Sequence, residues 1–241
     1  MSKIPKSPED IFQEFTNDFK NVFGENLASI ILYGSAARGE YVYKRSDINF
    51  LVVLTDQGMG QLSKALPLVH KWAKRKVSTP LILSKHYIDS SLDSFPIEFL
   101  TMKQQYKLVF GEDVLDEIDV AVDHLRLQCE RELRGKLLHL RESYLVTNGN
   151  LQQIKNLIRI TVPTFASIFS ALLHLKEEAA AGSKNQIFEK TTEVFDLDKS
   201  VFEKILQVRE KTLKLKKEEI NLLMQQYIEQ IRKLTNIVDK L

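Results

Sequence analysis

Ile30-Ile31-Leu32-Tyr33-Gly34-Ser35-Ala36-Ala37-Arg38-Gly39-Glu40, followed shortly by Ser46-Asp47-Ile48-Asn49-Phe50-Leu51-Val52-Val53-Leu54, decides how the rest of this 241-residue chain is read. The apolar run from Leu27 to Tyr33 carries β-branched residues, is too short for a helix and is cut by Gly34, which predicts a buried strand. Ile48 to Leu54 has the same character and predicts a second. Between them, Gly34 and Ser35 place backbone N–H groups and a hydroxyl at the start of a short turn, where oriented dipoles can hold an anion. Asp47 opens the second strand, and Asn49 shares its face because strand side chains alternate with period two. A phosphate cradle is thus expected to face an oxygen-rich strand end.

The order Gly34-Ser35, a short gap, then Asp47-Ile48-Asn49 on a strand resembles the signature of the nucleotidyltransferase superfamily that includes DNA polymerase β and the aminoglycoside nucleotidyltransferases. Arg38-Gly39 also stands in a familiar place. The resemblance in motifs covers the first 110 residues or so. It implies that the Gly34-Ser35 turn holds a nucleoside triphosphate, with ATP the expected one, and that Asp47 binds Mg²⁺. In that family a second aspartate stands where this chain has Asn49. An amide oxygen can still ligate a hard cation, but one negative charge is lost, which weakens the hold on metal and on a transferring phosphoryl group.

The bulk composition narrows the class. Hydrophobic residues at 44% and charged residues at 27% match a globular protein rather than a disordered one. The net charge of +2, from 34 basic and 32 acidic residues, argues against a general nucleic-acid scavenger. A single cysteine, Cys129, rules out an internal disulfide, and no Cys/His spacing suits zinc. The N-terminal residues lack a signal-type apolar segment, and no run is expected to span a membrane, so a cytoplasmic location is expected.

Along the chain, Ser7-Pro8-Glu9-Asp10 reads as a helix start. Ile11, Phe12, Phe15, Phe19, Val22 and Phe23 repeat at helical spacing up to Gly24. The segment Thr55 to Gly60 reads as a loop. Leu62 to Trp72 reads as a helix ended by Lys74-Arg75-Lys76, basic residues that complement its dipole. Leu81-Ile82-Leu83 predicts another strand, and a helical connection between strands favours a mixed sheet. Ile97 to Met102 reads as a third core strand with Glu98 its only carboxylate. Beside the Asp47 strand, Glu98 would ligate metal or accept the proton of an attacking hydroxyl; otherwise it is a surface glutamate. Tyr106 to Asp113 resembles the short strand and turn that close such domains.

From about Val120 the pattern is helical to the end. Over His124 to Leu145, Arg126, Glu130, Arg134 and Arg141 fall in one arc with Leu133, Leu137, Leu140 and Tyr144. Either Glu130 pairs with Arg126 and Arg134, or this face turns to the Gly34-Ser35 turn and offers Arg126, Arg134 and Arg141 to phosphates. Leu151 to Leu173 reads as a long helix that Pro163 should kink or interrupt. Ala179 to Gly182 reads as a loop and Phe188 to Val194 as a short helix. Lys211 to Lys217 reads as a solvated helical face. From Ile220 to Leu241 apolar residues alternate by four and three, as in helix-on-helix packing.

The expectation is therefore an α/β (α+β) nucleotidyltransferase-fold domain with a mixed sheet over 1–119 and an all-α helical bundle over 120–241, with a nucleotide cleft between them. The resemblance implies transfer of a nucleoside monophosphate from a Mg²⁺-bound triphosphate to an acceptor hydroxyl on a small molecule, a protein or an RNA end. Asp47, Asn49 and Glu98 would be the metal set, Asp47 and Glu98 the catalytic pair, and Gly34 and Ser35 with Arg38 or the Arg126, Arg134 and Arg141 face the phosphate contacts. Two alternatives stand beside it: a nucleotide-sensing or partner-binding module that has lost turnover through Asn49, and an antitoxin-like nucleotidyltransferase acting on a protein partner. The C-terminal heptads leave a homodimer open.

Overall fold

The computed structural model describes residues 4–178 and 182–241. The chain divides into two compact units, one ending at Val120 and the other running from Ala121 to Leu241.

The first unit is built on four strands: β1 (Leu27–Tyr33), β2 (Asn49–Leu54), β3 (Leu81–Ser84) and β4 (Tyr106–Gly111), in the spatial order β3-β2-β1-β4. β1 runs antiparallel to β2 and β4, and β2 runs parallel to β3, so the sheet is mixed. Alternation along the strands divides the apolar residues between two faces. Ile30, Leu32, Phe50 and Val52 meet the helix α1 (Phe12–Phe23) through Phe15, Phe19 and Phe23. Phe15 stacks on Phe50 with ring centroids 4.2 Å apart, and Trp72 closes the same cluster. Ser7 caps the turn before α1 reciprocally with Asp10, and Gly24 ends α1 at φ +54°.

The opposite face, with Ile31, Leu51 and Val53, is covered differently from the sequence expectation. After α2 (Asp56–Met59) and α3 (Leu66–Ala73), the chain forms α4 (Lys85–Ser90) and α5 (Pro96–Gln104). Ile88, Phe99 and Met102 from the last two helices pack on that face. Ile97 to Met102 is thus helix, not strand. Pro96 at the first helical position presets the backbone, and the apolar residues Ile97, Phe99, Leu100 and Met102 wrap a helix buried on a broad side. The sheet position beside β1 is taken by β4 instead. Thr55 to Gly60, read as a loop, contains the one-turn α2, because the Thr55 hydroxyl accepts the Gly58 amide at 3.1 Å.

The second unit packs α6 (Val122–Val146), α7 (Leu151–Leu175), α8 (Lys184–Val194), α9 (Lys199–Glu210) and α10 (Lys217–Val238). α6 buries Leu125, Cys129, Leu133, Leu137 and Leu140, while Arg134 and Arg141 are exposed and Arg126 and Glu130 are half-buried, so the charges flank the apolar stripe rather than fill it. α7 continues through Pro163, which faces solvent while Val162 and Phe165 on either side are buried. Packing there outweighs the hydrogen bond that proline forfeits. α7 is also long and apolar enough to cross a membrane by length and composition, contrary to the expectation that no run is. Its apolar face, from Ile154 to Leu173, is buried among the other helices of the unit. Ile220, Met224, Tyr227, Ile231, Leu234 and Val238 of α10 are fully buried. Lys211 ends α9 in the left-handed conformation, and the residues between it and Lys217 are not helical, so the lysine cluster is a link between helices rather than a helical face. Of the loop expected at Ala179 to Gly182, residues 179–181 lie outside the described residues.

Candidate functional site

The β1–β2 pairing sets Tyr33 directly opposite Asn49. The chain then leaves the sheet through Gly34, which adopts φ +77°, a region open to glycine and costly for other residues. A side chain there would also crowd the site, since a Cβ on Gly34 would stand 3.2 Å from Asn49 Nδ2. Gly34 to Ala36 forms a tight turn in which the amides of Ala37 and Arg38 donate to the Gly34 carbonyl at 3.1 and 3.2 Å, and the Glu40 amide donates to the Ser35 carbonyl at 3.0 Å. The amides of Ser35 and Ala36 come ahead of these turn bonds, as the first donors of any helical turn do.

Asp47 is placed by the chain on both sides of it. The Val42 amide donates to Ser46 Oγ at 3.0 Å, and the Ser46 amide returns to the Val42 carbonyl at 2.9 Å, closing the preceding loop. Tyr41 ties that loop down by donating to the Pro5 carbonyl at 2.8 Å. After Asp47, the Ile48 amide donates to the Lys76 carbonyl at 2.8 Å and the Ser78 amide donates to the Ile48 carbonyl at 3.0 Å. This parallel bridge of Ile48 with Val77 extends the β2–β3 pairing to the site. It also brings Lys76 beside Asp47, Nζ to Oδ1 at 3.6 Å, with the carboxylate side chain 59% exposed.

Lys76 was not legible as a site residue, because Lys74-Arg75-Lys76 had an adequate explanation in the helix dipole. A signal existed in the topology: parallel strands start at the same end, so the residues leading into β3 must pass the start of β2. Tyr33 is the other neighbour missed. It ends β1 opposite Asn49, and burial pushes its hydroxyl above the ordinary tyrosine value, keeping it neutral.

Arg38 reaches Glu40 at 3.4 Å and is partly exposed at the rim of the turn. Glu98 stands in the first turn of α5, exposed, and not on a strand next to Asp47. α5 nevertheless covers the face of the sheet that carries Leu51 and Val53, and period two puts Asn49 on that face too. Glu98 therefore belongs to an element on the same side of the sheet as Asn49.

In the second unit, Arg126 reaches Glu130 at 3.2 Å, and Arg134 reaches Glu130 at 2.9 Å and Asp239 at 2.7 Å. Internal pairing, one of the two readings, accounts for these two arginines. Arg141 is exposed and adds to the pull on Glu229, whose carboxyl is held below the usual range mainly by a hydrogen bond from Arg232. Cys129 is fully buried, and desolvation pushes its thiol up to about 12, so it is no nucleophile.

Asp47 and Asn49 offer two side-chain oxygen donors and one charge. Among the described residues no group of three or more His, Cys, Asp or Glu is placed to hold a metal. That donor set fits Mg²⁺ of the kind held by one or two protein oxygens together with substrate phosphates and water.

No protein-family model matches the sequence, and no curated protein matches it. Solved structures do. The spectinomycin adenyltransferase AAD(9) from Enterococcus faecialis, solved with ATP and spectinomycin, matches at 15% identity and a TM-score of 0.52, over 91% of this chain and 99% of that chain. A toxin-antitoxin structure with AMP-PNP matches at 18% identity and a TM-score of 0.29, over 52% of this chain and 94% of that one. The first likeness shows a shared fold, in keeping with the resemblance carried by Gly34-Ser35 and Asp47.

Proposed function

We propose that this chain transfers a nucleoside monophosphate from a Mg²⁺-bound nucleoside triphosphate, ATP in the first instance, to an acceptor hydroxyl, with pyrophosphate leaving. One observation carries the reading: the Tyr33–Asn49 register sets Gly34 of the turn beside Asn49, two residues after Asp47. The fold shared with an adenyltransferase solved with ATP supports it.

In this reading the amides and hydroxyl at Ser35 orient the phosphates, as turn N–H groups do for anions, and Arg38 adds charge at the rim. Asp47 would anchor the nucleotide's metal and Asn49 would give a neutral second oxygen. Glu98 is assigned as acceptor of the attacking hydroxyl's proton. Bound Mg²⁺ would supply charge neutralisation across the phosphates; positioning falls to the chain itself. The acceptor carries a hydroxyl and is otherwise unassigned. Arg126 and Arg134, engaged with Glu130 and Asp239, take no part in the proposal.

A nucleotide-sensing module is the second reading, favoured by the charge missing at Asn49. Pyrophosphate release and ATP binding, each with and without Mg²⁺, on the native protein and on Asp47→Ala separate the two. Metal-dependent binding and release, both lost in Asp47→Ala with the fold intact, support the transferase. Binding without release supports the sensor, and transfer that persists in Asp47→Ala refutes the site.

A further inference from the structure

We infer that Lys76 is a built-in counter-cation of the nucleotide site, competing with metal for Asp47 and lending its charge to the phosphates when metal is absent. The inference rests on the nucleotide-site reading above and adds a residue to it.

Most surface lysines are free to leave an ion pair 3.6 Å long, but the backbone of Lys76 is held from several sides. Its amide donates to the Ala73 carbonyl at 3.2 Å, its carbonyl accepts the Ile48 amide at 2.8 Å, and the next amide, of Val77, donates to the Trp72 carbonyl at 3.3 Å. Trp72 is itself buried and donates Nε1 to Asp18 at 2.9 Å. The short path from Trp72 to the Ile48–Val77 bridge leaves Lys76 at φ +66°, where a glycine would sit with less strain. A four-carbon stem bearing a charge is thus fixed at its root, immediately beside the residue that precedes β2.

The charges complete the case. Two aspartates at 47 and 49 would present two negative charges to a cation. Here Asn49 is neutral and Lys76 lies against Asp47, so the strand end is close to neutral before any ligand arrives. A triphosphate approaching without metal meets a cation instead of an uncompensated carboxylate. To hold a metal brought by the nucleotide, Asp47 would give up its pairing with the Lys76 ammonium.

Lys76→Met tests this, because the two conditions should move in opposite directions. In EDTA, ATP affinity should fall about fivefold, the factor that a charge–charge effect of about 1 kcal/mol in water gives at 1.4 kcal/mol per tenfold. With metal, the Mn²⁺ concentration giving half-maximal metal-dependent ATP binding should drop by a similar factor. Lys76→Arg should keep the native behaviour, and Lys74→Met, an exposed neighbour, should change neither reading. A purely structural role would weaken both readings of Lys76→Met together, and that result, or no change in either, overturns the inference. Failure of the native protein to bind ATP with or without metal overturns the nucleotide site and this inference with it. Binding that ignores Lys76 overturns the inference alone.

Discussion

Gly34→Ala probes how closely the phosphate turn approaches Asn49, and Gly39→Ala provides its reference. Both glycines sit at nearly the same backbone angle, φ +77° and +75°. An alanine in this left-handed region costs about 1–2 kcal/mol, partly offset by about 0.4–1 kcal/mol from a less flexible unfolded chain. Each variant should therefore lose about 1 kcal/mol, a shift of about 0.3–1 M in urea midpoint for slopes of about 1–3 kcal/mol/M. Their surroundings differ. A Cβ at Gly39 meets nothing within 4 Å, whereas one at Gly34 stands 3.2 Å from Asn49 Nδ2 and must push that amide aside by a few tenths of an ångström. Because that amide stands at the nucleotide site, Gly34→Ala should bind ATP with Mg²⁺ clearly more weakly than Gly39→Ala, although the two lose similar stability. Isothermal titration on both folded variants reads the difference directly. Equal ATP affinity in the two variants would mean that crowding Asn49 leaves nucleotide binding untouched, and the site as described would be wrong.

Gly111→Ala should prevent β4 from pairing with β1, since the added Cβ would lie 1.9 Å from the Ala28 carbonyl oxygen; a folded first unit by circular dichroism and a normal melting curve would contradict it. Cys129, its thiol pushed up to about 12 by burial, should stay unmodified by a thiol reagent at pH 8 until denaturant is added; rapid native-state labelling would show that the α6 core opens. Asp198 caps α9 by accepting the Ser200 hydroxyl at 2.7 Å and amide at 3.0 Å, and these bonds, the hydroxyl's first, hold its carboxyl below the ordinary value of 3.8. Its folded pKa is lowered, so the cap's charge-linked stabilisation is present above pH 3.8 and is lost as pH falls through the folded value. Asp198→Ala should accordingly cost about 1 kcal/mol at pH 7 and less at pH 2.5, measured by urea titration at both; a pH-independent gap would show that the carboxylate charge contributes nothing.

The two strands and the turn between them were legible because everything that makes them is local: β-branched runs of strand length, a glycine where the chain must turn, and a period of two that assigns faces. α5 was misread because Ile97-Glu98-Phe99-Leu100-Thr101-Met102 is apolar enough for either a strand or a helix buried on a wide side. The choice was made by β4, which occupies the edge of β1, and by the exposed flank of the sheet that needed covering. Where the α6 charges sit relative to the buried stripe was misjudged for a related reason, although the pairing of Glu130 with Arg126 and Arg134 was foreseen. A wheel drawn from sequence cannot say how wide the buried stripe is, and Arg134 and Arg141 fall just outside it. Lys76 was invisible because its place depends on a bridge between residues 29 positions apart, Ile48 and Val77, that no local pattern reports.

Asn49 and Lys76 are two parts of one electrostatic balance, and Asn49→Asp tests the balance from the side opposite to Lys76→Met. The substitution is nearly isosteric, so the side chain keeps its place opposite Tyr33 with a carboxylate oxygen replacing the amide nitrogen. Restored charge at position 49 adds a second anionic ligand for Mg²⁺, which should tighten metal-dependent ATP binding by about fivefold, again from about 1 kcal/mol of charge–charge attraction in water. The same charge repels a bare triphosphate, so binding in EDTA should weaken by a similar factor. If turnover in the native protein is limited by the missing charge, pyrophosphate release should rise in Asn49→Asp at saturating Mg²⁺. Tighter metal-dependent binding with no rise in release assigns the limit to the acceptor or to the proton-accepting group, and so turns attention to Glu98. Metal-dependent binding that weakens would show that residue 49 does not face the metal, and with that the assignment of this strand end as the nucleotide site would fail.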